Sequence, residues 1–451
     1  MKPFTLEEIA AACSGKFVGS EEQKKLVITS VERDSRQVKN GSLFLAIKGE
    51  RVDGHDYIEK CFESGAVCAV CEKEISTPSK PYILVDSTLE AVKKIARAYR
   101  KKFDIPIVGV SGSVGKTSTK EMLYAVLSQK FKTHKTEGNL NNELGVPLTI
   151  LAMPEDTQAA VIEMGISDFG EMSRLAQIVE PTVCVLTIIG CCHLENLGDR
   201  DGVCKAKAEM FDYAADNAEF ILNGDDDKLS RITEVRGKKP IFFGLDSKNR
   251  YTAENIQNNG EGGISCTLCI DGEKTDVVIP AIGNYMVSNA LAAAAVGKAL
   301  GLNNEQIKNG VEAYKTVGSR AHVINTGRIR IIDDCYNANP TSVKASLETL
   351  SNFEGRKVAI LGDMKELGRD ELKLHYDTGV FAKAHADAVI AIGELSRELA
   401  RGANGKWFAD SDSAKPEILM QVKDGDTVLV KASHSMQFEK IVDFLCERYG
   451  Q

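Results

Sequence analysis

Gly109-Val110-Ser111-Gly112-Ser113-Val114-Gly115-Lys116-Thr117-Ser118 is the stretch whose reading decides the fold. Before it runs an apolar, strand-like segment, Ile105-Pro106-Ile107-Val108; after it comes a helical pattern with Met122, Leu123, Val126 and Leu127 on one face. A strand, a glycine-rich turn and a Lys-Thr pair opening a helix form the layout of a phosphate-binding loop. Its glycines let backbone N–H groups approach phosphate oxygens, and the helix N-terminus adds partial positive charge. Lys116 is placed to reach the β- and γ-phosphates, and Thr117 to offer its hydroxyl to Mg²⁺. The spacing is the short Gly-x-x-Gly-Lys-Thr of Gly112, Gly115, Lys116 and Thr117, because Val110 stands where the longer motif wants its first glycine. The residues Gly112 to Ser118 therefore predict a nucleoside triphosphate site.

The chain around this loop has 451 residues, too many for one core, and about three domains is the natural expectation. Hydrophobic residues make up 43% and charged residues 27%, the balance of a globular chain without membrane insertion. Its N-terminus, Met1-Lys2-Pro3-Phe4-Thr5, does not open like a signal peptide, so a cytoplasmic location is expected. A formal charge of −8 argues against nucleic-acid binding, so an anionic ligand must meet local positive charge. Among the 12 cysteines are two C-x-x-C pairs, Cys68/Cys71 and Cys266/Cys269. They lie too far apart for a compact zinc module and read as small buried hydrophobes in a reducing compartment.

Periodicity divides the chain into residues 1–100, 101–318 and 319–451. The first block ends in an amphipathic helix carrying Leu89, Val92, Ile95, Ala96 and Tyr99. The second holds the phosphate loop and two further strands, Ala159 to Ile162 and Thr182 to Ile189. The third alternates strand and helix from Ile329 onward, as βαβ units in a mostly parallel sheet do. The predicted class is α/β throughout. Open parallel sheets bind ligands beyond the carboxyl ends of their strands, which places Glu163 and His193 beside the phosphate loop as candidate Mg²⁺ ligands. By themselves, Lys205 and Lys207 read as a solvated helix face, and Asn289 opens a helix whose alanines close packing explains while the asparagine stays unexplained by it.

Longer segments carry a resemblance over nearly the whole chain. Asp34-Ser35-Arg36, Gly49-Glu50-Arg51-Val52-Asp53-Gly54-His55, Thr136-Glu137-Gly138-Asn139-Leu140-Asn141-Asn142 and Val161-Ile162-Glu163-Met164-Gly165 come first. Asp333-Asp334-Cys335-Tyr336-Asn337-Ala338-Asn339-Pro340 and Leu361-Gly362-Asp363-Met364-Lys365-Glu366-Leu367-Gly368 follow in the third block. Together they resemble the Mur ligases of peptidoglycan synthesis, and among these the branch acting on UDP-MurNAc-tripeptide and D-Ala-D-Ala. The resemblance implies a UDP-sugar domain, a central ATPase-like domain and a Rossmann-like third domain. It implies ATP and Mg²⁺ as cofactors, amide-bond formation through an acyl phosphate, and a monomer.

It also implies roles residue by residue. Lys116, Glu163, His193 and Lys207 would be catalytic, with Lys207 carbamylated by CO₂, and Thr117, Glu163 and His193 would hold the metal. Asn142 would lie near the γ-phosphate and Asn289 near adenine, while Arg320 and Asp334 would grip phosphate and ribose. Ser35, Arg36, Gly49, Asp53, Gly54 and His55 would bind the UDP-sugar, and Asn337 and Asn339 would bind substrate from the third block. Two segments depart from the family pattern. Gly283-Asn284-Tyr285-Met286 stands where Gly-x-His-Asn is frequent, and Lys431-Ala432-Ser433-His434 where Lys-Gly-Ser-Arg is frequent. A different amide ligase on the same scaffold, or a nucleotide-binding regulator without chemistry, are the rival readings.

Overall fold

Apolar strands alternating with amphipathic helices bury best as parallel sheets covered on both faces. The computed structural model describes residues 1–450 and contains four sheets. The central one has six parallel strands in the spatial order Ile241–Phe243, Glu219–Asn223, Val183–Leu186, Ile107–Ser111, Ala159–Glu163, Thr133–Lys135. From Ile107–Ser111 the chain builds first to one side and then, with Val183–Leu186, to the other. The crevice at that switch point opens at the carboxyl ends of the strands, where the phosphate loop begins.

A sheet of five short strands lies N-terminal to it, with Lys16–Val18 as its antiparallel edge. The third block forms a six-stranded sheet ordered His322–Asn325, Arg330–Asp333, Thr427–Lys431, Lys357–Gly362, Ala388–Ile392, Lys406–Phe408. Only its first strand is antiparallel. The α/β class is as expected, and the cysteine pairs sit in different sheets, Cys68–Cys71 in the first and Ile264–Ile270 in a small antiparallel one.

That small sheet is the element the periodicity did not reveal. Thr252–Asn258, Ile264–Ile270 and Glu273–Ile279 form an antiparallel meander whose inner residues pack on the helix Tyr285–Ala299. Its signal was the Asp271-Gly272 pair, which adopts positive φ at both positions (49° and 85°), as a two-residue hairpin turn requires. The alanines of the helix are buried along this contact, where small side chains allow close approach.

Two local expectations need correction. The strand expected to reach Ile189 ends at Leu186, because Thr187 turns out of the sheet and its hydroxyl donates to the Val114 carbonyl at 2.6 Å. The helix Thr88–Arg100 buries Val92, Ile95, Ala96 and Tyr99 as its periodicity demands, but Leu89 is 44% exposed and faces the central cavity. The buried face of this helix joins a core that runs on without a break into one side of the central sheet. Tyr99 donates from its hydroxyl to the Met153 carbonyl (2.9 Å), and the Arg100 guanidinium donates to the Val179 carbonyl (2.8 Å).

Candidate active site

Backbone geometry builds the phosphate loop. Gly112 and Gly115 adopt φ of 152° and 81°, a region closed to most residues with a Cβ, and at Gly112 a Cβ would also strike the Thr187 hydroxyl. Gly109 belongs to the strand and is small for another reason, since a Cβ there would lie 2.7 Å from Met164 Cε. The loop is stapled to its neighbour: the Ser113 N–H donates to the Ile188 carbonyl (2.7 Å), and the Cys192 thiol to Ser113 Oγ (3.1 Å). Lys116 reaches back over the loop and donates to the Gly112 carbonyl at 2.8 Å.

A cavity of about 950 Å³ lies in front of the loop. Its walls include Ser113 to Ser118, Asn142, Glu163, His193 and Asn289 from the second block, and Arg320, Asp334, Asn337 and Asn339 from the residues that follow. Two helices aim their N-termini at it, Lys116–Leu127 and Pro340–Ser351. Convergent helix N-termini with a lysine between them make a receptor for a multiply charged anion in a chain whose net charge is negative.

Within the cavity, Glu163 accepts from the Thr117 hydroxyl (2.9 and 3.1 Å) and from the Asn141 amide (2.7 Å). Asn142 sits at the wall while its side-chain oxygen caps the helix Gly145–Leu151 by accepting from the Gly145 N–H. Asn141 is thus the asparagine that touches Glu163, a choice that sequence could not make between adjacent identical residues. Asn289 accepts from the Thr119 hydroxyl at 3.0 Å. The Arg320 guanidinium stacks 3.7 Å from the Tyr336 ring, and Asp334 is held by Lys431 (2.5 Å) and the Ser346 hydroxyl (2.6 Å). Asn339 caps its helix through the Ser342 N–H, and Asn337 accepts from Lys431 at its carbonyl. Lys431, Tyr336 and Thr341 on this wall were not among the expected site residues. Tyr285 also lines the cavity, with burial pushing its phenol above the ordinary tyrosine range, whereas His434 is exposed beside Tyr336.

His193 stands in a left-handed conformation (φ 52°) opposite Glu366, which is left-handed too (φ 62°). Its Nδ1 lies 2.5 Å from Glu366 Oε2 at an angle too poor to satisfy the ring nitrogen, and the Leu194 N–H donates to the Glu366 carbonyl. Burial depresses the imidazole pKa, which the Glu366 carboxylate opposes. Lys207 is 1% exposed, and loss of hydration pulls its pKa down to about 8, with the Lys116 ammonium adding to the fall. A buried amine of that kind is a nucleophile near neutral pH, unlike the solvated lysine its helix pattern suggested.

Among the described residues, no cluster of three or more His, Cys, Asp or Glu side chains forms a metal cage by itself. Glu163 and Thr117 are hard oxygen donors in contact at the phosphate loop, and they fit a Mg²⁺ that takes its remaining oxygens from nucleotide phosphates and water.

The expected sugar-binding residues lie in the first block, outside this cavity. Arg36 is 86% exposed along its side chain and pairs with Asp34, whose carboxyl it draws down to about 2. Asp53 and His55 use their polar atoms to hold their own loop. Asp53 accepts from Lys73 and the His55 ring, and His55 Nε2 accepts from the Glu72 N–H at 2.9 Å. The N–H of Gly49 donates to the Val52 carbonyl and that of Gly54 to the Ile47 carbonyl, while Ser35 remains half-exposed. No helix among the described residues is long and apolar enough to cross a membrane.

Three family profiles match in order: "Mur ligase family, catalytic domain" over residues 27–100, "Mur ligase middle domain" over 110–297, and "Mur ligase, glutamate ligase domain" over 319–434. The UDP-N-acetylmuramoyl-tripeptide–D-alanyl-D-alanine ligase of Bacillus subtilis (strain 168) is 36% identical, with 98% of each chain covered. A crystal structure of MurF from Acinetobacter baumannii superposes with a TM-score of 0.91 at 31% identity over 99% of both chains. The MurF ligase of Thermotoga maritima, solved in complex with ADP, gives 0.83 at 30% identity over 93% of this chain and 97% of that one. With such identity along nearly its full length, and with a phosphate loop, a carboxylate and a third-block helix facing one cavity, the chain belongs to the Mur ligase family, in its UDP-N-acetylmuramoyl-tripeptide–D-alanyl-D-alanine ligase branch.

Proposed function

We propose that this enzyme joins D-alanyl-D-alanine to the terminal carboxylate of UDP-MurNAc-tripeptide, giving UDP-MurNAc-pentapeptide, ADP and phosphate in the cytoplasm. The observation that carries the reading is the convergence of Lys116 and two helix N-termini, from separate blocks, on one cavity. A carboxylate does not react with an amine unaided. Its oxygen attacks the γ-phosphorus of ATP, the bond to the β-phosphate oxygen breaks, and ADP leaves from an acyl phosphate. The free amine of D-Ala-D-Ala then attacks the activated carbonyl, loses a proton, and expels phosphate.

The protein's part is to position the reactants and neutralise charge. Lys116 and the N–H groups opening Lys116–Leu127 stabilise the β- and γ-phosphate oxygens, where such donors are worth several kcal/mol in a water-poor cleft. Glu163 and Thr117, with His193 at the rim, would hold Mg²⁺, whose role is to offset charge on the phosphates. Asn289 and Tyr285 face the base, and Arg320, Asp334 and Lys431 close on ribose and phosphate from the third block. Ser35, Arg36 and the Gly49–His55 loop take the UDP-sugar, with Asp53 and His55 shaping that loop. Asn337 and Asn339 meet the peptide end.

Lys207 has the burial and lowered pKa that carbamylation needs. Its neutral amine nitrogen attacks the carbon of CO₂ and loses a proton, turning a buried cation near Lys116 and His193 into an anion with two oxygens. Blocks 1–100, 101–318 and 319–451 divide the labour between sugar, ATP and closure. The chain is taken to act as a monomer; equilibrium sedimentation checks that point.

The deciding experiment incubates the enzyme with ATP, Mg²⁺, D-Ala-D-Ala and UDP-MurNAc-tripeptide carrying either L-lysine or diaminopimelate. Mass spectrometry should find the pentapeptide with at least one of them. ATP hydrolysis with no pentapeptide would favour a sister amide ligase, and no turnover at all would favour a regulator.

A further inference from the structure

Beneath the phosphate loop, three charged groups that none of these roles uses, Lys120, Glu121 and Lys135, adjoin Glu163. Lys120 projects from the second turn of Lys116–Leu127 and is wholly buried, at 0% exposure. A buried ammonium survives only where oxygens surround it. Lys120 Nζ donates to the Thr136 carbonyl at 2.8 Å and lies 3.0 Å from Glu121 Oε1, 3.5 Å from the Gly138 carbonyl and 3.8 Å from Glu163 Oε2. Glu121 is held from its other side by Lys135, 2.5 Å away, whose ammonium stacks over the Tyr124 ring. The Glu163 N–H donates to Thr136 Oγ1, and the Glu163 carboxylate accepts from Asn141. Lys120 therefore holds the start of the segment from Thr136 to Asn141, at Thr136 and Gly138, and faces the Glu163 carboxylate that the far end of the segment, Asn141, also grips.

We propose that Lys120 is a positioning residue, whose ammonium locks the Glu163 carboxylate and the Thr136–Asn142 loop into one geometry before nucleotide and metal arrive. The Glu121–Lys135 pair is its anchor. Lys120 touches neither phosphate nor metal in this account. It acts through Glu163, as groups behind a ligand orient it elsewhere. The inference rests on reading Glu163 as the carboxylate that meets the nucleotide-bound metal.

Two measurements on Lys120→Met, which keeps the stem and removes the charge, test it. The first is amide hydrogen exchange on the full chain without nucleotide or metal. Residues 136–142 and the Glu163 amide should exchange at least about tenfold faster, with the rest of the central sheet unchanged. The second is calorimetric titration of ADP with and without Mg²⁺. The tightening that Mg²⁺ brings should fall by about 10–100-fold, while metal-free ADP affinity stays within about twofold. Lys135→Met should move both readouts in the same direction by less, and serves if Lys120→Met does not fold; Lys132→Met, exposed and paired with Asp156, should move neither. An unchanged loop in Lys120→Met, or equal loss of ADP affinity with and without Mg²⁺, overturns the proposal. Glu163→Gln separates the two levels. If it leaves the Mg²⁺ effect intact, the metal reading of Glu163 is wrong; if it abolishes the effect and Lys120→Met does not, only the role of Lys120 is.

Discussion

The first and second blocks meet through a shared apolar core, the second and third through polar contacts around a cavity. At the first junction, Val92, Ile95, Ala96 and Tyr99 of the helix Thr88–Arg100 share one apolar core with the central sheet, and Arg100 caps backbone carbonyls from inside it. At the second, the third block's apolar clusters stay almost wholly its own. What crosses includes the His193–Glu366 contact, the Arg330–Glu261 ion pair (2.9 Å), the Leu194–Glu366 backbone hydrogen bond and the walls of the cavity. A continuous core resists separation because parting it exposes apolar surface, whereas polar contacts can be exchanged for water at little net loss. The comparison predicts that the first and second blocks move as one body, and that opening and closing belong to the third.

The largest expected effect lies on the cleft side. Lys116→Ala should lower the rate of phosphate release by about 10²–10³, because a charge aimed at the transferring phosphate is lost. Thermal stability should barely change, as Lys116 contributes to the cleft and not to a core. Near-normal turnover would remove the phosphate loop from the mechanism. Lys207→Ala should be comparably inactive, with partial recovery in formate and a far milder effect from Lys205→Ala; the reverse order between the two lysines would discard the carbamate.

Next comes Tyr99→Ala at the apolar junction, with an expected destabilisation of about 3–5 kcal/mol. It empties a core position and removes the bond to Met153. Scanning calorimetry should show the first two blocks melting together at a lower temperature. Separate melting of the sugar block would break the comparison at its first term. For the same reason, a fragment ending at residue 100 should be less stable than one carrying the central block as well.

A subtler test is pH. Lys207 has a folded pKa lowered to about 8, so its neutral fraction rises from about a tenth at pH 7 to about nine-tenths at pH 9. Uptake of labelled bicarbonate into the protein should rise over that window and vanish in Lys207→Ala. The same shift makes the folded state bind fewer protons than the unfolded one between about pH 8 and the ordinary lysine value. This group's contribution to stability therefore increases as pH climbs through that range. A pH-independent uptake would refute the buried neutral amine.

The smallest effect is expected at the polar junction. Glu366 is 57% exposed, so Glu366→Gln should change stability by no more than about 1 kcal/mol. It should instead alter how often the third block opens, read as a change in distance distribution between spin labels on the second and third blocks. A loss as large as that of Tyr99→Ala would show that the second junction is no looser than the first.

The loop from Gly112 to Ser118, the parallel strands around it and the position of Glu163 at the carboxyl end of a strand were legible from the sequence, though Glu163 is that strand's last residue and not one beyond it. Each depends on local rules: glycine where φ is positive, period-two or apolar runs for strands, a lysine opening a helix. The hairpin at Asp271-Gly272 obeys such a rule as well, with positive φ at both positions between two antiparallel strands. Tertiary structure alone decided the rest. Packing, not pattern, turned Lys207 from a plausible surface residue into a buried amine and Leu89 from core into cavity wall. It chose Asn141 over Asn142 as the partner of Glu163, and it gave Asp53 and His55 to their own loop. Nothing along the chain shows that Lys120 faces Glu163, because their contact joins a helix to a strand end far away in sequence. The sequence determines which groups are available and which elements carry them; burial and the partners across the fold determine their charge, their orientation and their use.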